Sequence, residues 1–113
     1  MNKVLYSVKE IEEMTNVSRK TLYYYDHCNL LPPTKRIGTQ QWKYYDQDAI
    51  QKLLRIRKCR EMGFHIEEIK EFNQADIEEQ KRILKMVLKR NKKDIRKYEE
   101  SIKMIDILLK DLS

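Results

Sequence analysis

A mainly α fold is predicted for this chain: paired short helices, a basic hairpin, further helix and one long terminal helix. Three features predict it. Helix-capping residues open two amphipathic stretches separated only by Thr15-Asn16-Val17. Pro32-Pro33 and Gly38 then punctuate a short basic and aromatic excursion. From about Asp76 to Leu112 there is neither proline nor glycine, and apolar residues recur at alternating spacings of four and three.

Val4, Leu5 and Tyr6 lead into the first helix. Ser7-Val8-Lys9-Glu10 is a capping box, with Ser7 at N-cap and Glu10 three residues on. Val8, Ile11 and Met14 fall on one face, and the helix is expected to end near Met14. Ser18 is a second N-cap, whose hydroxyl can accept from the amide of Thr21. Helix, three-residue turn, helix is the spacing of a helix-turn-helix. Arg19, Lys20 and Thr21 occupy the first turn of the second helix, with Leu22 turned inward. Tyr23, Tyr24 and Tyr25 follow, and neighbours about 100° apart cannot all be core. Tyr25 is expected partly in the core. At least one of the others faces out beside two cations, a combination suited to phosphates and base edges.

Asn29 tolerates the left-handed conformation that ends a helix. Leu30-Leu31 is an apolar plug, and Pro32-Pro33 forbids further helix. Residues 34–37 form one arm of a hairpin, 38–40 the tip and 41–45 the other arm. A recognition helix followed by a basic hairpin describes a winged helix-turn-helix. Asp46 caps a third helix with Ile50, Leu53, Leu54 and Ile56 toward the core. Arg55, Arg57, Lys58 and Arg60 around them read as an exposed face. Gly63 is a C-cap, Phe64 packs back, and a fourth helix runs from about His65 to Phe72 with Ile66, Ile69 and Phe72 inward. His65, at the N-cap, reads as structural.

The long helix carries a heptad seam through Leu84, Leu88, Asn91, Ile95, Tyr98, Ile102, Ile105, Leu109 and Leu112. It is too long and too one-sided to bury that seam against so small an N-terminal part, so it should pair with another chain. Asn91 either fixes the register of that pairing or points outward at a local break. The division into domains is placed at residues 1–74 and 75–113.

Composition limits the function classes. The net charge is +6. Residues 1–60 carry 12 Lys+Arg against 6 Asp+Glu, and residues 61–113 carry 12 of each, so the positive excess lies with the helix-hairpin stretch and favours an anionic partner there. Residues 61–80 are acidic and 81–97 basic, two blocks able to attract within or between chains. No apolar run approaches a membrane span and the N-terminus has no signal-peptide core, so the expectation is a cytoplasmic protein. Cys28 and Cys59 suggest neither a disulfide framework nor a zinc site. No Gly-rich phosphate loop, paired carboxylates or nucleophile–base constellation points to an enzyme. Taken by itself, Cys59 reads as a small core residue.

Several of these stretches, in order, resemble the signatures of the MerR family of bacterial transcription regulators. They are Tyr6-Ser7-Val8-Lys9-Glu10-Ile11, Val17-Ser18-Arg19-Lys20-Thr21-Leu22-Tyr23-Tyr24-Tyr25-Asp26, Leu30-Leu31-Pro32, Trp42-Lys43-Tyr44-Tyr45 and Met62-Gly63-Phe64-His65-Ile66-Glu67-Glu68-Ile69. The resemblance covers residues 4–72 closely, and the long helix agrees in type. It implies a winged-helix DNA-binding domain and a homodimer through an antiparallel coiled coil. It also implies a palindromic operator in double-stranded promoter DNA, distorted so that RNA polymerase engages both promoter elements. By motif, Ser18, Arg19, Lys20, Tyr23 and Tyr24 would be recognition-helix contacts, and Arg36, Trp42 and Lys43 wing contacts. The family usually carries Arg where Tyr23 stands, and Gly-Tyr-Arg where this chain has Gln41-Trp42-Lys43. Lys43 keeps the charge but loses the planar fork. Metal-sensing members carry cysteines where this chain reads Ala75-Asp76-Ile77-Glu78-Glu79, and drug-sensing members carry a further domain, so neither a metal site nor a drug site is expected, and no cofactor; some members use a thiol in the third helix, which makes Cys59 a sensor candidate. An architectural or excisionase-like DNA-bending protein would use the same winged helix. A coiled-coil interaction module with an incidental basic surface is a third reading.

Overall fold

The computed structural model describes residues 4–113. Its elements run β1 (Tyr6–Ser7), α1 (Val8–Thr15), α2 (Arg19–His27), β2 (Lys35–Ile37), β3 (Trp42–Tyr45), α3 (Gln47–Glu61), α4 (Ile66–Gln74) and α5 (Ile77–Asp111). The backbone divides into two compact units, one ending at Glu61 and the other running Met62–Ser113. The sequence placed that division at 74/75; α4 instead falls in the same unit as α5.

In the first unit the caps set the helix starts. Ser7 accepts from the Glu10 amide while the Glu10 carboxylate accepts from the Ser7 amide. α1 ends with Asn16 in the left-handed region (φ 61°), its N–H on the Glu12 carbonyl. Met14, expected on the core face, is exposed, and Thr15 is buried in its place. The Thr15 hydroxyl donates to the Ile11 carbonyl (2.7 Å) and accepts from the Val17 amide (3.2 Å), so the polar atom is satisfied as the chain turns. The side chain of Arg57 on α3 donates to the Thr15 carbonyl. Asn29 holds φ 60° after α2, and Leu31 is buried as a plug.

The sheet is three-stranded, in the order β1-β3-β2, and both pairings are antiparallel. The hairpin was expected; the short β1 was not. It pairs Tyr6 with Tyr45 and Ser7 with Tyr44, so one segment closes the sheet and caps α1. Asp46 accepts from the Ala49 amide at 2.9 Å and opens α3. Val8, Ile11, Val17, Leu22, Tyr25, Leu31, Tyr45, Ile50, Leu53 and Ile56 are buried in this unit, and Leu54 is half-buried.

In the second unit, Gly63 (φ 93°) turns the chain into α4, and Phe64 stands edge-on to Phe72 with centroids 5.6 Å apart. Ile69 is buried, whereas Ile66 and Phe72 are half-buried. Asp76 caps α5 by accepting from the Glu79 amide. α5 buries Ile83 and Val87, a face the heptad reading had not assigned. Arg90 reaches Glu68 with both terminal nitrogens, at 2.9 and 2.7 Å, joining the acidic and basic blocks within one chain.

Candidate nucleic-acid interface

The exposed side of α2 follows from what its other side buries. Leu22 and Tyr25 point inward, so at about 100° per residue Arg19, Lys20, Tyr23 and Tyr24 are left to solvent. Tyr23 is 42% exposed and Tyr24 53%, large values for aromatic side chains with no role in the core. Ser18 accepts from the Thr21 amide (3.1 Å) and donates to the Thr21 hydroxyl (2.9 Å), so its own proton is committed to the cap. Glu12 of α1 accepts from the Arg19 amide at 2.9 Å and lies 3.7 Å from its Nε, fixing the start of α2 against α1.

The hairpin sets a second group beside this face. Gly38 (φ 80°) and Gln41 (φ 55°) bend its tip, and Trp42 emerges 57% exposed. Arg36 and Lys43 are direct partners across the β2–β3 pair. Both turn to Asp26 near the end of α2. The Arg36 fork donates to its two oxygens at 2.8 and 2.7 Å, and Lys43 Nζ lies 3.1 Å from Oδ2. Lys43 also stands over the Tyr23 ring, 5.1 Å from its centroid. The Arg36 guanidinium, and then Lys43, hold the Asp26 carboxyl below its usual range against the opposing effect of burial. Beneath them Tyr45 is fully buried, and its hydroxyl has no partner among the described residues. Burial, then the Asp26 charge, pushes that phenol up to about 12.

Helix and hairpin enclose a cleft of about 150 Å³ lined by Ser7, Val8, Lys9, Arg19, Tyr23, Trp42, Lys43 and Tyr44. Four of the expected contact residues therefore meet in one place: Arg19, Tyr23, Trp42 and Lys43. Lys20 and Tyr24 stay on the exposed face outside it, Ser18 serves the cap, and Arg36 is held on Asp26. A basic and aromatic cleft of this kind can take a phosphate between cations and stack a planar group on an indole or phenol. Sequence reasoning missed Lys9 and the organising role of Asp26. The signal for Asp26 lies in the strand register, which spacing alone does not give: two cations facing each other across a hairpin favour an anion nearby.

Along α5 the expected seam is open. Leu84, Leu88, Ile95, Tyr98, Ile102, Ile105, Leu109 and Leu112 are between 41% and 85% exposed. At about 100° per residue, Leu84 and Leu88 lie about 100° round the helix from the buried Ile83 and Val87. Asn91 differs from the other seam residues in having a partner close at hand. Its amide donates to the Met62 carbonyl at 2.9 Å and its oxygen faces Gly63, so it is engaged within its own chain. Among the described residues no group of three His, Cys, Asp or Glu side chains is placed to hold a metal ion. Burial pushes the Cys59 thiol above its usual range, away from the reactive thiolate. No helix among the described residues is long and apolar enough to cross a membrane.

Comparison with known proteins gives consistent matches. The family described as MerR HTH family regulatory protein matches residues 6–76. An uncharacterized HTH-type transcriptional regulator, YyaN of Bacillus subtilis (strain 168), is 38% identical over 69 residues, 61% of this chain and 49% of that protein. The chain thus spans about half the length of that relative. Among solved structures, the N-terminal part of MtaN, the Bacillus subtilis multidrug transporter activator, superposes with a TM-score of 0.73. It is 30% identical, over 92% of this chain and 97% of that one. HiNmlR, a MerR family regulator lacking the sensor domain and bound to promoter DNA, shares the fold at a TM-score of 0.65. Its identity is 22%, over 94% of this chain and 88% of that one.

Proposed function

This chain belongs to the MerR HTH family of regulatory proteins, and from that premise we propose that it is a sequence-specific DNA-binding transcription regulator. It works in the cytoplasm as a homodimer on a palindromic promoter operator. The observation that carries this reading is the cleft between α2 and the hairpin, where Arg19, Tyr23, Trp42 and Lys43 converge on an exposed surface. Cations there neutralise phosphates, which supplies attachment to any duplex. The outward Tyr24, Lys20 and Arg19 on α2 supply contacts to base edges.

The exposed apolar stripe of α5 supports the dimer. The eight apolar seam positions from Leu84 to Leu112 lie open, and a second copy in an antiparallel pairing covers them. Two copies then present two α2 helices to two half-sites of an inverted repeat, as dimeric helix-turn-helix proteins do. The family resemblance supports the remaining step: the dimer distorts the promoter between half-sites so that RNA polymerase engages both elements, and the deformation energy contributes to site selection.

The test is selection from a random double-stranded DNA pool at near-physiological salt, followed by sequencing. An inverted repeat with half-sites at one fixed spacing is expected. Recovery of sequence-blind binding alone would overturn the regulator reading in favour of an architectural protein. Absence of any salt-sensitive DNA binding would overturn the nucleic-acid reading altogether.

A further inference from the structure

The hairpin contains an electrostatic conflict that one residue of α2 resolves. Arg36 and Lys43 are register partners in β2 and β3, and like charges directly opposite one another weaken an antiparallel pair. Asp26 accepts from both terminal nitrogens of Arg36 and lies 3.1 Å from Lys43 Nζ. Its side chain is only 11% exposed, while that of Arg36 is 39% exposed. The carboxylate is thus enclosed, and the cations stand between it and solvent. The planar fork of Arg36 is filled in its best geometry, so it cannot offer the same fork to a phosphate or a base. Lys43 needs one N–H for Asp26 and keeps two, and its position over the Tyr23 ring places it in the cleft.

We propose that Asp26 is a positioning residue that fixes the wing against the recognition helix and so sets DNA specificity rather than DNA affinity. This rests on the DNA-binding reading above and names a determinant within that surface. A carboxylate beside phosphate-binding cations opposes every duplex equally, so removing its charge alone would tighten binding to any sequence. Reading a sequence has a different requirement. Trp42 and Lys43 on the hairpin must stand at a fixed distance from Arg19, Tyr23 and Tyr24 on α2, because loose cations attach while positioned ones discriminate. Asp26 is the residue of α2 that holds two hairpin side chains at once. Without it the two cations repel across the hairpin, and the wing loses its fixed separation from the helix.

Asp26→Asn keeps the shape and removes the charge; Arg36→Lys keeps the charge and removes the fork. The unaltered chain and both variants are titrated, at several salt concentrations, against two duplexes. One is the inverted repeat selected with the unaltered chain, the other a shuffled duplex of the same composition. Asp26→Asn should bind the shuffled duplex unchanged or up to about threefold more tightly, with a salt slope at least as steep. On the selected repeat it should lose about tenfold or more. Arg36→Lys should show the same fall in the specific-to-shuffled ratio with an unchanged salt slope. Circular dichroism and melting curves verify that the variants are folded. An unchanged ratio in Asp26→Asn, or an equal gain on both duplexes, would overturn the proposal and leave Asp26 as a repelling charge. Should Asp26→Asn fail to fold, Arg36→Lys decides alone, and a wild-type ratio there overturns it. If the unaltered chain selects no sequence, the DNA reading fails first, and that outcome is distinct from the others.

Discussion

Replacing Glu68 by Gln tests the energetics of the α4–α5 junction. Glu68 is buried at the first turn of α4 and accepts from both terminal nitrogens of Arg90 and from the His65 amide at 2.7 Å. Arg90 also donates to the Gly63 carbonyl at 2.7 Å. The Arg90 guanidinium first, and the His65 N–H after it, hold the carboxyl at about 2, against an ordinary value of 4.5. At 1.36 kcal/mol per pKa unit that corresponds to stabilisation on the order of 3 kcal/mol. The Arg90 side chain is 29% exposed and regains hydration when its partner is neutral, which lowers the expected cost of Glu68→Gln to about 2 kcal/mol. Because the folded-state pKa is depressed, the contribution is complete above pH 4.5 and is lost as pH falls toward 2. Urea unfolding followed by helical circular dichroism, at one protein concentration for both proteins, measures it. The variant should be less stable by about 2 kcal/mol at neutral pH, and the two curves should converge toward pH 2. A gap below about 0.5 kcal/mol at neutral pH, or one that persists undiminished into acid, would refute the reasoning.

Three further outcomes follow from single sites. Gly63→Ala should destabilise the chain by about 1–2 kcal/mol in the same unfolding assay, because φ is 93° there and an added Cβ would lie 2.9 Å from the Asn91 oxygen. Tyr45→Phe removes a buried hydroxyl that has no partner among the described residues, so stability should hold or rise by about 1 kcal/mol; a loss larger than that in thermal melts would show that the hydroxyl is satisfied. Ile102→Asp puts a charge in the middle of the exposed stripe, 58% exposed in the single chain. Sedimentation equilibrium should show dimer association weakened by at least about a hundredfold in affinity, with binding to the full inverted repeat falling alongside; wild-type association would remove the coiled-coil dimer.

Legibility in the sequence tracked the range of the interaction. Ser7, Ser18 and Asp46 were legible as caps, because a cap's partner lies only three residues away, and each accepts from the amide at that spacing. Asn29 and Gly63 adopt positive φ, as residues tolerant of that region can. Strand β1 was illegible because two residues carry no period, and its partners Tyr44 and Tyr45 lie far along the chain. Thr15 displaced Met14 from the core because its hydroxyl found two backbone partners in the turn, a satisfaction that hydrophobic periodicity does not score. Asp26 was visible only as part of a motif. Its role depends on the strand register that sets Arg36 opposite Lys43, and on the packing of α2 beside the hairpin.

The long helix carries one periodicity on two faces. Ile83 and Val87 are spaced by four, and so are Leu84 and Leu88, one residue later. The first pair is buried within the chain and the second is open. A reading of spacing alone cannot separate these faces, because both satisfy a helical repeat. Asn91 marks where they part: it is tied to the Met62 carbonyl, and beyond it no described residue of α5 is buried. The stretch before Asn91 therefore has an intrachain face and an open face, whereas from Ile95 to Leu112 the apolar side chains are all open. Association should accordingly depend more on the C-terminal half of α5 than on Leu84 and Leu88, even though all belong to one seam. A polar residue at the changeover does not have to fix register between chains to be placed there. It is sufficient that its amide satisfies the backbone where the chain turns into α4.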